Sequence, residues 1–267
     1  MGRTAFDTEK PSLSPSRRHF LAALSAASFR LSAIGTLGGS VAACKSRGKH
    51  HRKHPPCFLR GTRILTSKGE IAVENLLIGD LVPVASGHKP VRWIGRRAYE
   101  KTADSWQDEI RPIRISRGAI APQVPHRDLY LSPPHRLLLG GMLIRAIDLV
   151  NGVSIVSEAP PDIERIEYFH ILLDTHEVLK AEGAEAETLL MLSADHERFS
   201  NFVEYEHLFG SQPFVPMTPC APVHAYGGGR SHLAALLRIA ASSCVDVRDP
   251  FQREFDRLSA RTKRCVG

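Results

Sequence analysis

The part of the chain that most limits its fold covers residues 57–192, where short apolar runs alternate with turn residues. In GTRILTSKGEIAVENL the pattern predicts a strand, a turn at Lys68 and Gly69, and a second strand; DLVPVASGHKPVRWIGRRAYE repeats it around Ser86 and Gly87. Further short runs follow in IRPIRIS, DLYLS, HRLLLGGMLIRA, VSIVSE, IEYFHILL and HEVLKAEG. Many short strands at close spacing predict a mainly β domain and not a parallel sheet with crossover helices.

After Leu192 the apolar spacing changes to i, i+3, i+4, which predicts helices. The segments concerned are SADHERFSNFVEYEHLFG, SHLAALLRIAASSC and DPFQREFDRLSARTKR, with PFVPMTPCAPVHAYGGG as an irregular connector between the first two. Asp249 and Pro250 suit the start of the last helix. Residues 193–267 are therefore predicted to be a partly helical C-terminal extension, whose role the sequence does not indicate.

Residues 1–44 resemble an export leader. SRRHFL, residues 16–21, resembles the twin-arginine consensus, and a weakly apolar stretch of Ala, Ser and Gly follows it. Arg30 places a charge in that stretch, which argues for a leader helix over a permanent membrane span. The leader implies export across a bacterial inner membrane by the Tat machinery, which would recognise Arg17 and Arg18. The mature protein would be periplasmic, membrane-anchored or extracellular; the other interpretation is a surface helix with a chance arginine pair.

Residues 41–44, VAAC, resemble a lipobox, in which the thiol of Cys44 is acylated and anchors the mature protein. Plain cleavage after a small residue is the alternative. The following linker, residues 45–56, is basic and would add attraction to anionic headgroups. Its His50, His51 and His54 are a conceivable metal site, but a solvated linker is the favoured interpretation, and we predict no metal and no cofactor.

Charge and cysteine content exclude two further classes. The net charge of +7 comes largely from residues before Cys57, and no nucleic-acid-binding module accompanies it, so we expect no specific nucleic-acid partner. The five cysteines show no paired CxxC spacing, which argues against a zinc site and against a disulfide-stapled fold. Their odd number leaves at least one thiol free, reactive or modified unless a partner chain pairs with it.

Residues 57–97 resemble the opening of a bacterial Hint domain, the β-rich self-processing fold of inteins and hedgehog C-terminal regions. The resemblance rests on a first cysteine, Cys57, on the following Gly-Thr pair, on GEIAVENL, and on GDLV leading into PVRWIG. It extends over residues 57–192 and implies a compact horseshoe of short, curved strands.

Two later blocks agree with this resemblance. LYLSPPHRLLL resembles the family's T-x-x-H block, with Ser132 in the threonine position and His135 as the histidine. EYFHILLDTHEVLKAEG resembles a late block of the family in which Tyr168 and His176 are in place.

The resemblance implies that Cys57 attacks the carbonyl of Pro56 and moves the upstream acyl group from nitrogen to sulfur, so the substrate is the protein's own upstream peptide. His135 would protonate the departing nitrogen. Ser132 would hydrogen-bond the developing oxyanion or orient His135. The structural alternatives are that Cys57 is a small buried hydrophobe and that His135 only ends a strand.

The late block contains three other polar residues of interest. Asp174 and His176 are candidates for activating the Cys57 thiol or for steering a nucleophile to the thioester, with a purely structural role equally open. His170 alternates with apolar neighbours, so we interpret it as one face of a strand and not as a catalytic residue.

Two differences between this sequence and its family exclude some of the family's activities. Inteins end in His-Asn followed by a nucleophile, and EGAEAETLLML has neither, so splicing is not expected. No sterol-recognition region is identifiable after residue 192, so cholesterol transfer is unsupported. What remains is an acyl shift that ends in self-cleavage, so the chain is at most an autoproteolytic, cysteine-dependent domain. The alternatives are a catalytically degenerate Hint module, kept as an exported binding or scaffold protein, or a platform for functional C-terminal helices.

Overall fold

The structure is a computed structural model of the chain, and it describes residues 54–102, 105–210, 215–224 and 249–266. The predicted leader with Arg17 and Arg18, the lipobox cysteine Cys44, and the predicted helix at residues 231–244 lie outside the described residues. So do His50 and His51 of the linker.

Short strands dominate the described chain, as the sequence predicts. In chain order they are β1 Phe58–Leu59, β2 Arg63–Thr66, β3 Gly69–Ala72, β4 Leu81–Val84, β5 Gly87–Pro90, β6 Trp93–Glu100, β7 Ile113–Ile115, β8 Leu129–Leu131, β9 Arg136–Leu139, β10 Met142–Arg145, β11 Ile155–Ser157, β12 Arg165–Leu172, β13 Val178–Ala181 and β14 Ala184–Glu187. Two α-helices follow, α1 Phe202–Phe209 and α2 Pro250–Val266, and 3-10 turns lie at Val73–Asn75, Ala146–Leu149 and Asp195–Arg198.

The strands form two six-stranded sheets and one separate hairpin. The first sheet has the order β11-β7-β8-β1-β12-β6, the second β10-β9-β14-β13-β2-β3, and β4 pairs with β5. Every pairing between these strands is antiparallel, which confirms the predicted mainly β architecture.

Both predicted N-terminal hairpins are present. The turn between β2 and β3 is closed by the pair Thr66 and Gly69, and Gly69 has φ +100°, a left-handed conformation that side chains rarely adopt. In the β4–β5 hairpin, Val84 pairs with Gly87. The turn residues were thus identifiable from sequence because glycine was needed there.

The two-residue strand β1 holds the centre of the first sheet, with β8 on one side and β12 on the other. Phe58 pairs with Leu131 of β8 and with Phe169 of β12. Because strand neighbours alternate between faces, Phe58 joins one apolar cluster, whereas Cys57 and Leu59 join the other. This central position fixes the residues that flank Cys57.

Two elements of the C-terminal extension are helical where the sequence predicts helices. α1 carries no buried residue, whereas α2 packs on the β domain through Leu258. Arg257 and Arg261 of α2 donate to the carbonyls of Ile120 and Gly118. Among the described helices, none combines the length and the apolar content needed to cross a membrane.

Candidate active site

Cys57 lies immediately before β1, and its side chain is completely buried as a free thiol. Burial raises the pKa of the thiol well above its usual value, and the Arg97 guanidinium acts in the opposite direction. The thiol is therefore protonated at neutral pH, and any attack by its sulfur requires a base that removes this proton.

Ser132 forms hydrogen bonds with the backbone on both sides of the Pro56–Cys57 peptide bond. The Cys57 N–H donates to Ser132 Oγ at 2.7 Å, and the same hydroxyl donates to the carbonyl oxygen of Pro55 at 3.1 Å. The Ser132 N–H donates to the carbonyl of Cys57 at 2.9 Å. The hydroxyl thus holds the carbonyl one residue before the expected oxyanion of Pro56.

Residues just upstream of the bond are also fixed in place. Pro55 is buried and Pro56 half-buried. His54 Nδ1 lies 2.8 Å from the hydroxyl of Tyr99, a residue of β6. A cavity of about 430 Å³ borders His54, Pro55 and Pro56 and reaches Arg136, so the junction lies beside open space.

His135 is fully buried beside Cys57. Its backbone N–H donates to the carbonyl of Ser132 at 3.0 Å, and its ring centroid lies 4.3 Å from that of Phe58. Neither ring nitrogen has a hydrogen-bond partner among the described residues. Burial lowers the pKa of His135 to about 4, whereas Glu187 and the backbone of Cys57 act to raise it. The ring is thus neutral at pH 7, and it lies close enough to the Cys57 backbone for that backbone to affect its pKa.

A second buried imidazole, that of His170, lies next to the first. The ring centroids of His135 and His170 are 5.0 Å apart in an edge-to-face arrangement, and that of Phe58 is 5.9 Å from His170. Both ring nitrogens of His170 also lack a partner within the described chain. Burial lowers the pKa of His170 well below its usual value, and His135 and His176 act in the same direction.

His176, by contrast, has a hydrogen-bond partner at one ring nitrogen and a carboxylate near the other. Its Nδ1 accepts the N–H of Cys220 at 3.0 Å, and its Nε2 lies 3.4 Å from Glu187 Oε2. The buried Glu187 carboxylate also accepts the backbone N–H of Arg136 at 3.0 Å and pairs with its guanidinium at 3.1 Å. Because Arg136 follows His135, this network fixes the backbone that carries His135.

Asp174 is not part of this buried group. Its side chain is 57% exposed and pairs with Arg92 at 3.1 Å. Both residues line a different cavity, of about 590 Å³, together with Tyr205 and Phe209 of α1. Of the five candidates from sequence, the structure therefore gathers Cys57, Ser132, His135 and His176 and leaves Asp174 at the surface.

Sequence reasoning missed Arg97 and Glu187 and set His170 aside. Glu187 ends a stretch of alternating Ala and Glu, and its burial opposite β9, the strand that begins just after His135, was not encoded in any local pattern. Arg97 lies near the end of a recognised strand block, where an exposed charge is the ordinary expectation. The usable signal for His170 was the histidine itself, since a titratable side chain in an otherwise apolar run is costly to bury.

Comparison with known proteins gives one family and several solved structures. The family model described as "Hint domain" matches residues 56–193. The gp41-1 intein is 14% identical with a TM-score of 0.34, covering 49% of this chain and 97% of its own. A DnaB intein from Synechocystis sp. PCC 6803 is 8% identical with a TM-score of 0.34, covering 51% and 99%. A bacterial intein-like domain from Clostridium thermocellum is 13% identical with a TM-score of 0.30, covering 50% and 98%. No curated protein matches the sequence significantly.

Proposed function

The chain belongs to the Hint domain family and has its mainly β fold, and on this premise we propose that it cleaves its own backbone between Pro56 and Cys57 without splicing. Cys57 is the nucleophile, His135 delivers the proton to the leaving nitrogen, and Ser132 holds the peptide. The upstream segment is both the substrate and a part of the folded site.

One observation carries this proposal: the hydroxyl of Ser132 is hydrogen-bonded to the amide of Cys57 and to the carbonyl of Pro55 at once. A serine that is hydrogen-bonded to the backbone on both sides of a peptide bond restricts the movement of the residues that flank this bond. Positioning of this kind lowers the entropy cost of an intramolecular attack. The backbone of the same cysteine acts to raise the pKa of His135, so the ring lies close to the residue whose nitrogen must leave.

The chemistry is a balanced exchange of one proton. The thiol of Cys57 loses its proton, Sγ bonds to the carbonyl carbon of Pro56, the C–N bond breaks, and the nitrogen keeps the electron pair and takes a proton. Twisting the peptide by roughly 12° stores only about 1 kcal/mol, so protonation of the nitrogen is the decisive assistance. The product is a thioester on Cys57.

The cavity beside Pro56 is suited to the second step. Its volume of about 430 Å³ admits water or a small thiol to the thioester carbonyl. Hydrolysis there releases an upstream fragment that ends at Pro56 and leaves a domain that begins with Cys57.

Complete burial of Cys57 favours a second candidate function, a non-catalytic Hint module that serves for binding or as a scaffold. Burial raises the pKa of the thiol, which slows any attack by its sulfur. In that case the same contacts only stabilise the fold.

The two functions are separated by incubating the purified full chain with dithiothreitol and recording masses over time. Self-cleavage predicts fragments that end at Pro56 and begin at Cys57, faster with thiol and absent from Cys57→Ala. A matched variant, Cys220→Ala, removes an exposed thiol and should cleave like the wild type. A wild-type chain that stays intact under all these conditions contradicts the proposal.

Export and membrane tethering are a further part of the proposal, supported by SRRHFL and VAAC near the N-terminus. The twin-arginine leader directs the chain through the Tat machinery, and acylation of Cys44 retains it at the membrane. Replacing both Arg17 and Arg18 with Lys should keep the chain in the cytoplasm of a bacterial host. Equal export of this variant and the wild type, measured by fractionation, would refute the leader.

A further inference from the structure

His170 occupies a position that the proposed reaction does not yet use. The antiparallel register between β1 and β12 pairs Phe58 with Phe169 and Leu59 with Tyr168. Extended by one residue, it sets Cys57 opposite His170. Side chains directly opposite each other on neighbouring strands project from the same face, with Cβ atoms about 4.5–5.5 Å apart. The register thus sets the side chains of Cys57 and His170 at neighbouring positions on the same face of the sheet.

The same reasoning applies on the other side of β1 and agrees with the hydrogen bonds there. Phe58 pairs with Leu131, so the extended register sets Ser132 opposite Cys57. The Ser132 N–H does donate to the carbonyl of Cys57, and the Cys57 N–H to the Ser132 hydroxyl. Cys57 therefore lies between Ser132, which follows β8, and His170 of β12.

The two buried imidazoles differ from the other described histidines because both nitrogens of each ring lack a hydrogen-bond partner within the described chain. An unpartnered buried polar group costs about 1–3 kcal/mol, and such groups in folded proteins call for an explanation. The ring centroids of His135 and His170 are 5.0 Å apart, so the two rings are in contact. Half a turn of a ring exchanges a carbon for a nitrogen while the ring fills the same space, and a proton passes when an N–H of one ring points at the in-plane lone pair of the other.

We propose that His170 and His135 form a two-imidazole proton relay that carries the proton of the Cys57 thiol to the Cys57 nitrogen. This relay rests on the proposed self-cleavage. Sγ–H gives its proton to the unprotonated ring nitrogen of His170, and the N–H at the other nitrogen of His170 passes its proton to the unprotonated nitrogen of His135. The N–H at the other nitrogen of His135 then gives its proton to the Cys57 nitrogen as Sγ bonds to the Pro56 carbon and the C–N bond breaks.

The relay is balanced and needs no charged imidazole. Each ring takes a proton at one nitrogen and releases one from the other, so both start and finish neutral with exchanged tautomers. A neutral route suits this site because burial disfavours the imidazolium form of both rings. Since a chain cleaves itself once, the tautomers need no return to their starting state.

The charged groups that face the pair do not supply an alternative. Arg136 and Glu187 are paired with each other at 3.1 Å, and His176 is held between Glu187 and the Cys220 amide. Arg97 acts on the thiol as a fixed cation and is not a base. Tyr99 and Tyr168 also interact with Cys57, but burial raises the pKa of both phenols, so they are neutral and are not bases. His170 thus supplies a basic nitrogen at the position that the strand register sets opposite Cys57.

Chemical rescue tests the relay in the full chain. His170→Ala opens a space the size of the lost ring, and we expect its cleavage rate in dithiothreitol to fall about 100-fold or more. Added imidazole should restore a large part of that rate. Pyrrole, a ring of the same size that has an N–H and lacks the basic nitrogen, should restore none. Equal rescue by both rings would mean that His170 only fills space, and would overturn the relay.

Two further variants guard against misfolding. His170→Phe keeps a ring against Phe58, so its circular dichroism and thermal unfolding should match the wild type while its cleavage rate falls as in His170→Ala. Ile171→Val, a small change at the next buried position of β12, should cleave normally. Wild-type cleavage with equally fast His170→Phe would overturn the relay alone, whereas an intact wild-type chain would overturn the self-cleavage and the relay together.

Discussion

Two neighbouring groups of buried polar side chains in this molecule are satisfied to very different degrees. Around Glu187, the carboxylate accepts from Arg136 and lies against His176, whose other nitrogen accepts from Cys220. Around His135 and His170, the rings contact each other and Phe58, and their nitrogens have no partners among the residues described.

This difference indicates separate roles: the group around Glu187 supports the fold, and the pair His135 and His170 takes part in the reaction. A partnered buried network rigidifies the structure, because breaking it exposes each member to the full cost of desolvation. Unpartnered imidazoles give the fold no such benefit, but their nitrogens are free to take and release protons. The Glu187 network lies next in sequence to His135 through Arg136, so the supporting group holds the reactive group in place.

The largest expected effect is that of removing the ring nitrogens of His135. His135→Phe should lower the cleavage rate by about 1,000-fold or more, because the leaving nitrogen loses its proton donor. Its free energy of unfolding should stay level or rise, since two unpartnered nitrogens leave the core. Cleavage is followed by mass spectrometry and unfolding by urea titration. A loss of stability without a loss of cleavage would show that His135 supports the fold and does not take part in the reaction.

The opposite result is expected in the partnered network. Glu187→Ala removes the carboxylate and leaves the half-buried Arg136 guanidinium and the Arg136 backbone N–H without this partner, which should lower the free energy of unfolding by about 3 kcal/mol. Replacing the exposed Glu185 with Ala on the same strand is the matched control and should change stability little. Equal stabilities of the two variants in urea would show that the network does not support the fold.

Acidification sharpens the contrast, because burial lowers the pKa of His135 to about 4 from an ordinary value of 6.5. Between these pH values the unfolded chain binds a proton that the folded chain does not. The free energy of unfolding therefore keeps its full value above pH 6.5 and falls as the pH drops toward 4, and His135 accounts for about 3 kcal/mol of this loss. Stability measured from pH 7 to pH 4 should fall less steeply in His135→Phe, and parallel curves would contradict a buried neutral ring.

The smallest effect is expected at the surface. Asp174→Ala removes a half-exposed partner of Arg92, and exposed ion pairs contribute about 0–1 kcal/mol. Cleavage should proceed at the wild-type rate. A rate loss of tenfold or more would place Asp174 in the reaction and would require a rearrangement of the surface that it lines.

Local patterns allowed much of the fold to be predicted. The β2–β3 and β4–β5 hairpins followed from alternating apolar residues around glycine turns, and α2 from its apolar spacing. β14 was missed because its sequence, AEAE, lacks the β-branched and aromatic residues that mark strands. β1 was missed because a two-residue strand has no periodicity of its own.

The site was predictable only where the family resemblance named a residue. Cys57, Ser132 and His135 were singled out in this way, and the structure does bring them together. The position of His170 beside Cys57 depends on a pairing between residues more than 100 positions apart in the chain, which no local pattern reveals. Ser132 holds the Pro55 carbonyl and not that of Pro56, a detail set by tertiary geometry.

The most direct test of the account is to capture the thioester that it requires. The full chain is incubated with hydroxylamine, which attacks thioesters, and its products are mapped by mass spectrometry. The account predicts an upstream fragment with a hydroxamate on Pro56 and a downstream fragment with a free amino group on Cys57, neither of which forms from Cys57→Ala. A chain that stays intact in hydroxylamine, or a break at any other peptide bond, would contradict it.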